Sequence, residues 1–120
     1  MRNFTILISD RNKNVREYLR RELETEGYHV QLAISCQDVL RKIYQNEFID
    51  LIIIDPDLFK EDEAGLFEKI GNRVPALPVI LHTFSSDYHD KSNALHGVYF
   101  VEKNGNSIEN LKKVVSELLF

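Results

Sequence analysis

The run Leu51-Ile52-Ile53-Ile54-Asp55-Pro56-Asp57 limits this chain more than any other stretch. An unbroken apolar run bounded by turn formers predicts a strand buried on both faces, which a parallel sheet covered by helices provides. Asp55 stands where that strand leaves the core, and Pro56 ends its ladder. In open parallel sheets, reaction and ligand sites gather beyond the carboxyl ends of the strands, so Asp55 is the first candidate for chemistry.

The rest of the chain alternates in the same way. Phe4–Ser9 reads as a strand, and Val15, Tyr18, Leu19 and Leu23 recur at helical spacing until Gly27. Tyr28–Ala33 is a second strand, and Val39, Leu40, Ile43 and Tyr44 mark a helix with Ser35 as N-cap. Ala64–Ile70 predicts a third helix closed by Gly71, and Pro78–Thr83 a fourth strand opened by proline. Ser86–His96 is a weak, polar helix and Val98–Val101 a fifth strand. Ile108, Leu111, Val114, Val115 and Leu118 form an amphipathic C-terminal helix capped by Asn106 or Ser107. Strand-then-helix units of this kind predict a doubly wound five-stranded parallel sheet in a three-layer α/β/α sandwich, since a barrel would need eight.

Composition excludes several functions. At 120 residues, 43% of them apolar, the chain is long enough to bury a core and is expected to be one domain over 1–120. A net charge of −4 offers no basic field for nucleic acid. The single cysteine, Cys36, and the lack of a long apolar stretch fit a cytoplasmic protein without membrane contact. His82, His89 and His96 straddle different elements and lack zinc-site logic.

Residues at the strand ends form a chemically coherent set: Asp10 and Arg11 after the first strand, Asp55 and Asp57 after the third, Thr83 after the fourth, and Lys103 after the fifth. A carboxylate can attack phosphorus to form an acyl phosphate, and what phosphoryl transfer then needs is positioning and charge neutralisation. Lysine and a hydroxyl can hold phosphate oxygens, and carboxylates can hold a divalent cation. Each residue also has a plainer reading. Asp10 suits the N-cap of the first helix, Asp55 a turn, Thr83 an ordinary strand position, and Lys103 a solvated surface.

Taken together, Ile6–Asp10, Asp50–Asp55, Pro78–Thr83 and Tyr99–Lys103 resemble, over essentially the whole chain, the receiver domain of two-component response regulators, of the chemotaxis type with a flavodoxin-like fold. The resemblance implies Asp55 as phosphoacceptor and Asp10, Asp55 and Asp57 (the last through its backbone carbonyl or water) as the acidic Mg²⁺ pocket. It implies Thr83 and Lys103 as phosphate partners, and Thr83 with Phe100 as the switch. It further implies a histidine kinase or phosphotransfer protein as phosphodonor and a downstream protein or attached output domain as receiver of the signal. Dimerisation would use the face of the Ser86–His96 helix, the fifth strand and the C-terminal helix. The domain would be a signalling module, not an enzyme.

The departures carry information too. Receivers usually end the first strand on two adjacent acids, and here Arg11 takes the second place, which should weaken Mg²⁺. Arg11 can pair with Asp55 and quench it, or clamp a phosphoryl group in the metal's stead. The first outcome would make a pseudo-receiver that binds partners independently of phosphorylation. Phe59, Phe84 and Asn104 also replace residues usual in the family, and the loop Lys60–Gly65 is longer than usual. A haloacid-dehalogenase-like phosphatase would carry its Asp-x-Asp motif on an early strand, and a nucleotide or flavin site would need glycines between Asp10 and Asn14.

Overall fold

The apolar run forms the central strand of the sheet. The computed structural model describes residues 3–45, 48–59, 63–72, 76–84 and 97–120. Its elements run β1 (Thr5–Ser9), α1 (Lys13–Thr25), β2 (His29–Ala33), α2 (Cys36–Gln45), β3 (Ile49–Ile54), a 3₁₀ turn (Pro56–Phe59), α3 (Glu63–Gly71), β4 (Val79–Thr83), β5 (Val98–Glu102) and α4 (Ser107–Leu119). All pairings are parallel, in the order β2-β1-β3-β4-β5, so the strand order reverses between β1 and β3. This is the flavodoxin-like order expected from the sequence, and its switch point lies beside Asp10 and Asp55.

Alternation along the strands divides the core in two. Leu7, Ile52, Ile54, Val79 and Leu81 pack on one face with Val39 and Ile43 of α2 and with Leu66 and Ile70 of α3. Ile6, Ile8, Leu51, Ile53 and Ile80 pack on the other with Leu19 and Leu23 of α1 and with Ile108, Leu111 and Val115 of α4. Each such aliphatic side chain, fully buried, contributes about 2–3 kcal/mol relative to exposure. Lys112 links the two helices of the second face, its Nζ lying 3.5 Å from Glu22 Oε1 and 3.4 Å from Glu26 Oε1.

The helix ends follow from local chemistry. Asn12, not Asp10, caps α1: its Oδ1 accepts the Asn14 and Val15 N–H groups at 2.9 and 3.2 Å. Ser35 Oγ accepts the Asp38 N–H at 3.0 Å, as its N-cap position predicts, and Asp38 Oδ2 accepts the Ile34 N–H at 3.2 Å. Asn106 caps α4 without a side-chain hydrogen bond. Gly27, at φ +94°, takes the left-handed conformation that ends α1.

Element bounds differ from the sequence reading by one or two residues. β3 starts earlier, at Ile49, and Pro78 contributes only a carbonyl to the sheet, accepting the Ile52 N–H at 3.1 Å. The weak helix expected over Ser86–His96, with His89 and His96, lies outside the described residues, as do Lys60–Asp62.

Candidate functional site

The parallel register brings the strand ends to one rim. The β1–β3 and β3–β4 ladders close on Ser9↔Ile54 and Ile54↔Leu81, so one step further Asp10, Asp55 and His82 stand side by side. Alternation points all three to the α1/α4 face. Asp10 and Asp55 are each only 1% exposed, which is unusual for carboxylates and demands compensation.

Lys103 supplies most of that compensation. It follows β5, and its N–H donates to the Thr83 carbonyl at 2.9 Å, which fixes its backbone to the end of β4. Its Nζ lies 2.9 Å from Asp55 Oδ2, as a hydrogen bond, and 2.7 Å from Asp10 Oδ2, as an ion pair without hydrogen-bond alignment. Backbone donors hold the other oxygens: the Asp57 N–H donates to Asp55 Oδ1 at 3.0 Å and the Asn12 N–H to Asp10 Oδ1 at 2.9 Å. The Asp55 N–H donates to the Ser9 carbonyl at 2.8 Å, and Arg16 Nη1 donates to the Asp10 carbonyl at 2.6 Å. Arg16 acts on the end of β1, and nothing in the sequence singled it out.

Arg11 lies over the rim and is not buried in it. The side chain is 58% exposed, with Nε 3.8 Å from Asp55 Oδ2 and Nη2 3.5 Å from Asp57 Oδ2. At 3.8 Å the guanidinium attracts Asp55 without hydrogen-bonding it. The bidentate pair that would quench the carboxylate is therefore not formed. Phe84 is 71% exposed beside the pocket, and the Lys103 ammonium sits 5.6 Å from its ring centroid in a cation–π contact.

The remaining expected residues occupy the other face or the layer below. Thr83 ends β4 and is fully buried. Phe100 pairs with Leu81, and it packs against the core cluster of α2 and α3. Alternation thus sets Thr83 and Phe100 on the same face of adjacent strands, one diagonal step apart. His82 is 3% exposed, and neither ring nitrogen has a hydrogen-bond partner among the described residues. Burial, reinforced by the Lys103 charge and only partly opposed by Asp55, pulls the imidazole down to about 4. It is accordingly neutral at pH 7 and packs as an apolar group. The sequence places His82 in an apolar strand, but neither its full burial nor its neighbours are legible there. Asn104 Oδ1 accepts the Asn106 N–H at 2.8 Å, which turns the chain from β5 into α4.

The acidic side chains of the rim face cations of the protein itself. Asp10 and Asp55 direct their Oδ2 atoms at the same ammonium, and Asp57 faces a guanidinium. Mg²⁺ requires near-octahedral oxygen donors, and no group of three or more His, Cys, Asp or Glu among the described residues is placed to hold a metal.

A doubly wound parallel sheet whose carboxyl rim gathers two buried aspartates around the lysine that follows the last strand places this chain among the flavodoxin-like α/β domains. The model of the response regulator receiver domain matches residues 6–116. The chain belongs to that family. Solved structures with which it shares 30% identity are a two-component response regulator of Clostridium difficile (TM-score 0.83, covering 98% of this chain and 96% of that one) and a response regulator of Thermotoga maritima in complex with Mg²⁺-BeF (TM-score 0.83, covering 97% and 99%). A chemotaxis response regulator of Vibrio cholerae, 20% identical over 98% of this chain and 100% of that one, shares the fold at a TM-score of 0.82. A probable transcriptional regulator of Cyanidium caldarium is 34% identical over 94 residues, and the matched stretch spans 37% of that relative's length.

Receiver domains are signalling modules of two-component systems that act with kinases or phosphotransfer proteins and with output domains, and they generally bind Mg²⁺ at the acidic pocket. A phosphoacceptor role fits this chain, and a pseudo-receiver is not favoured. Among the described residues, no helix is long and apolar enough to cross a membrane.

Proposed function

We propose that Asp55 is the phosphoacceptor of this receiver, taking a phosphoryl group from a histidine kinase or phosphotransfer protein in the cytoplasm. The observation that carries this is the state of its carboxylate: buried, held by Lys103 at 2.9 Å and by the Asp57 N–H at 3.0 Å, yet outside hydrogen-bond reach of Arg11. Such a group is oriented without being consumed by a bidentate partner. Lys103 meets the charge that develops on the phosphoryl oxygens, and the fixed backbone donor limits the reorganisation required. Asp10 holds the ammonium between the two carboxylates. Arg11 weakens Mg²⁺ in this pocket, because it adds positive charge where a cation would otherwise find an oxygen ligand.

The signal then passes to a two-state element of the protein surface. Thr83 and Phe100, on one face of adjacent strands, form the relay, and a downstream protein or attached output domain reads it. The whole of 1–120 acts as one domain, without direct contact to nucleic acid or membrane. Dimerisation uses the face that includes β5 and α4. Incubation with acetyl phosphate should give a one-phosphoryl mass increase that is absent in Asp55→Asn, and an adduct that persists in Asp55→Asn would refute the assignment.

A further inference from the structure

We infer that Arg11 supplies as a fixed side-chain charge what a divalent cation would supply, so that the pocket holds a phosphoryl group on Asp55 without metal. The inference rests on the phosphoacceptor reading and adds a distinct claim about it. Geometry is the first support. The backbone on either side of Arg11 is anchored, by the Arg16 bond to the Asp10 carbonyl at 2.6 Å and by the Asn12 N–H bond to Asp10 Oδ1 at 2.9 Å. The side chain itself is 58% exposed, and its contacts to Asp55 and Asp57 are long, at 3.8 and 3.5 Å. It can therefore turn onto an incoming group without breaking a short bond. Guanidinium is planar, and its fork of N–H donors matches phosphoryl oxygens in pairs.

Charge is the second, independent support. Asp10, Asp55 and Asp57 set three negative charges against the two positive ones of Arg11 and Lys103, leaving this ion-paired set one unit negative. With aspartate at position 11 the same set would be three units negative. That difference of two units equals the charge of one divalent cation. Phosphorylation forms a bond from an Asp55 carboxylate oxygen to phosphorus and breaks the donor's bond to phosphorus. With acetyl phosphate the electron pair leaves on acetate, and Asp55 releases no proton. The new dianion then faces two cations already in place.

Intact-mass spectrometry of wild type, Arg11→Ala and Arg11→Asp after acetyl phosphate, each in excess EDTA and in Mg²⁺, tests this. Wild type should form its adduct in EDTA within about twofold of the Mg²⁺ level. Arg11→Ala should lose about tenfold or more in EDTA, and Arg11→Asp should form adduct only with Mg²⁺. A wild-type adduct that falls about tenfold in EDTA and returns with Mg²⁺ would overturn the inference while leaving Asp55 as the acceptor. No adduct on any of the three proteins in either condition would overturn the acceptor assignment, and this inference with it.

Discussion

Ile53 and Asp55 stand two residues apart on one strand line and one face, both closed to solvent, and opposite means hold them there. Ile53 belongs to a layer that includes Ile8 and Ile80, where removal of apolar surface from water suffices and direction matters little. Asp55 lies in the layer above, where both oxygens of its own carboxylate meet donors aimed at them. The lower layer supplies stability. The upper one places charge at the edge of a low-dielectric floor, where attraction and desolvation nearly cancel in stability but not in chemistry.

The sharpest test of this contrast is to damage the layers separately. Ile53→Ala should lower the unfolding free energy by about 4 kcal/mol in a urea titration, because the cavity has close-packed walls, while the folded fraction still accepts phosphoryl groups. His82 sits in the polar row but packs like its apolar neighbours, so acid should expose it. Its folded-state value of about 4 lies below the ordinary 6.5, so the unfolded chain binds the proton more readily. The stability it contributes is whole above pH 6.5 and is lost as pH falls through 4, by about 3 kcal/mol. His82→Leu should flatten that part of the pH–stability curve, and an unchanged slope would mean that another group causes it.

Smaller effects belong to the rim. Asn12→Ala removes the cap of α1 and should cost about 1 kcal/mol, readable as a shift in the urea midpoint at constant slope. Asp55→Asn should change stability by less than about 1 kcal/mol, since Lys103 retains Asp10 and the amide oxygen can still accept the Asp57 N–H. The same variant should lose the phosphoryl adduct entirely. Were Asp55→Asn as destabilising as Ile53→Ala, the separation of stability from chemistry between the two layers would be wrong.

Much of this was legible beforehand, for reasons that differ by element. β3 was readable because an apolar run and a proline are local signals, and the rim residues because parallel strands share a direction. The cap of α1 is less legible: Asp10 suits a cap as well as a site role, and only the path of the chain out of β1 gives the cap to Asn12. Arg16 was invisible, since an arginine in the first turns of a helix has no pattern that points it at a strand carbonyl.

The order of strands and helices, and the presence of an acid, a hydroxyl and an ammonium at strand ends, were determined by the sequence, because periodicity and chain direction are properties of neighbouring residues. Tertiary structure decided that two carboxylates share one lysine, that His82 is neutral among them, and that Arg11 stops short of Asp55. Those outcomes depend on distances of a few ångströms between groups far apart in the chain, and on how much water remains between them, which no local pattern encodes.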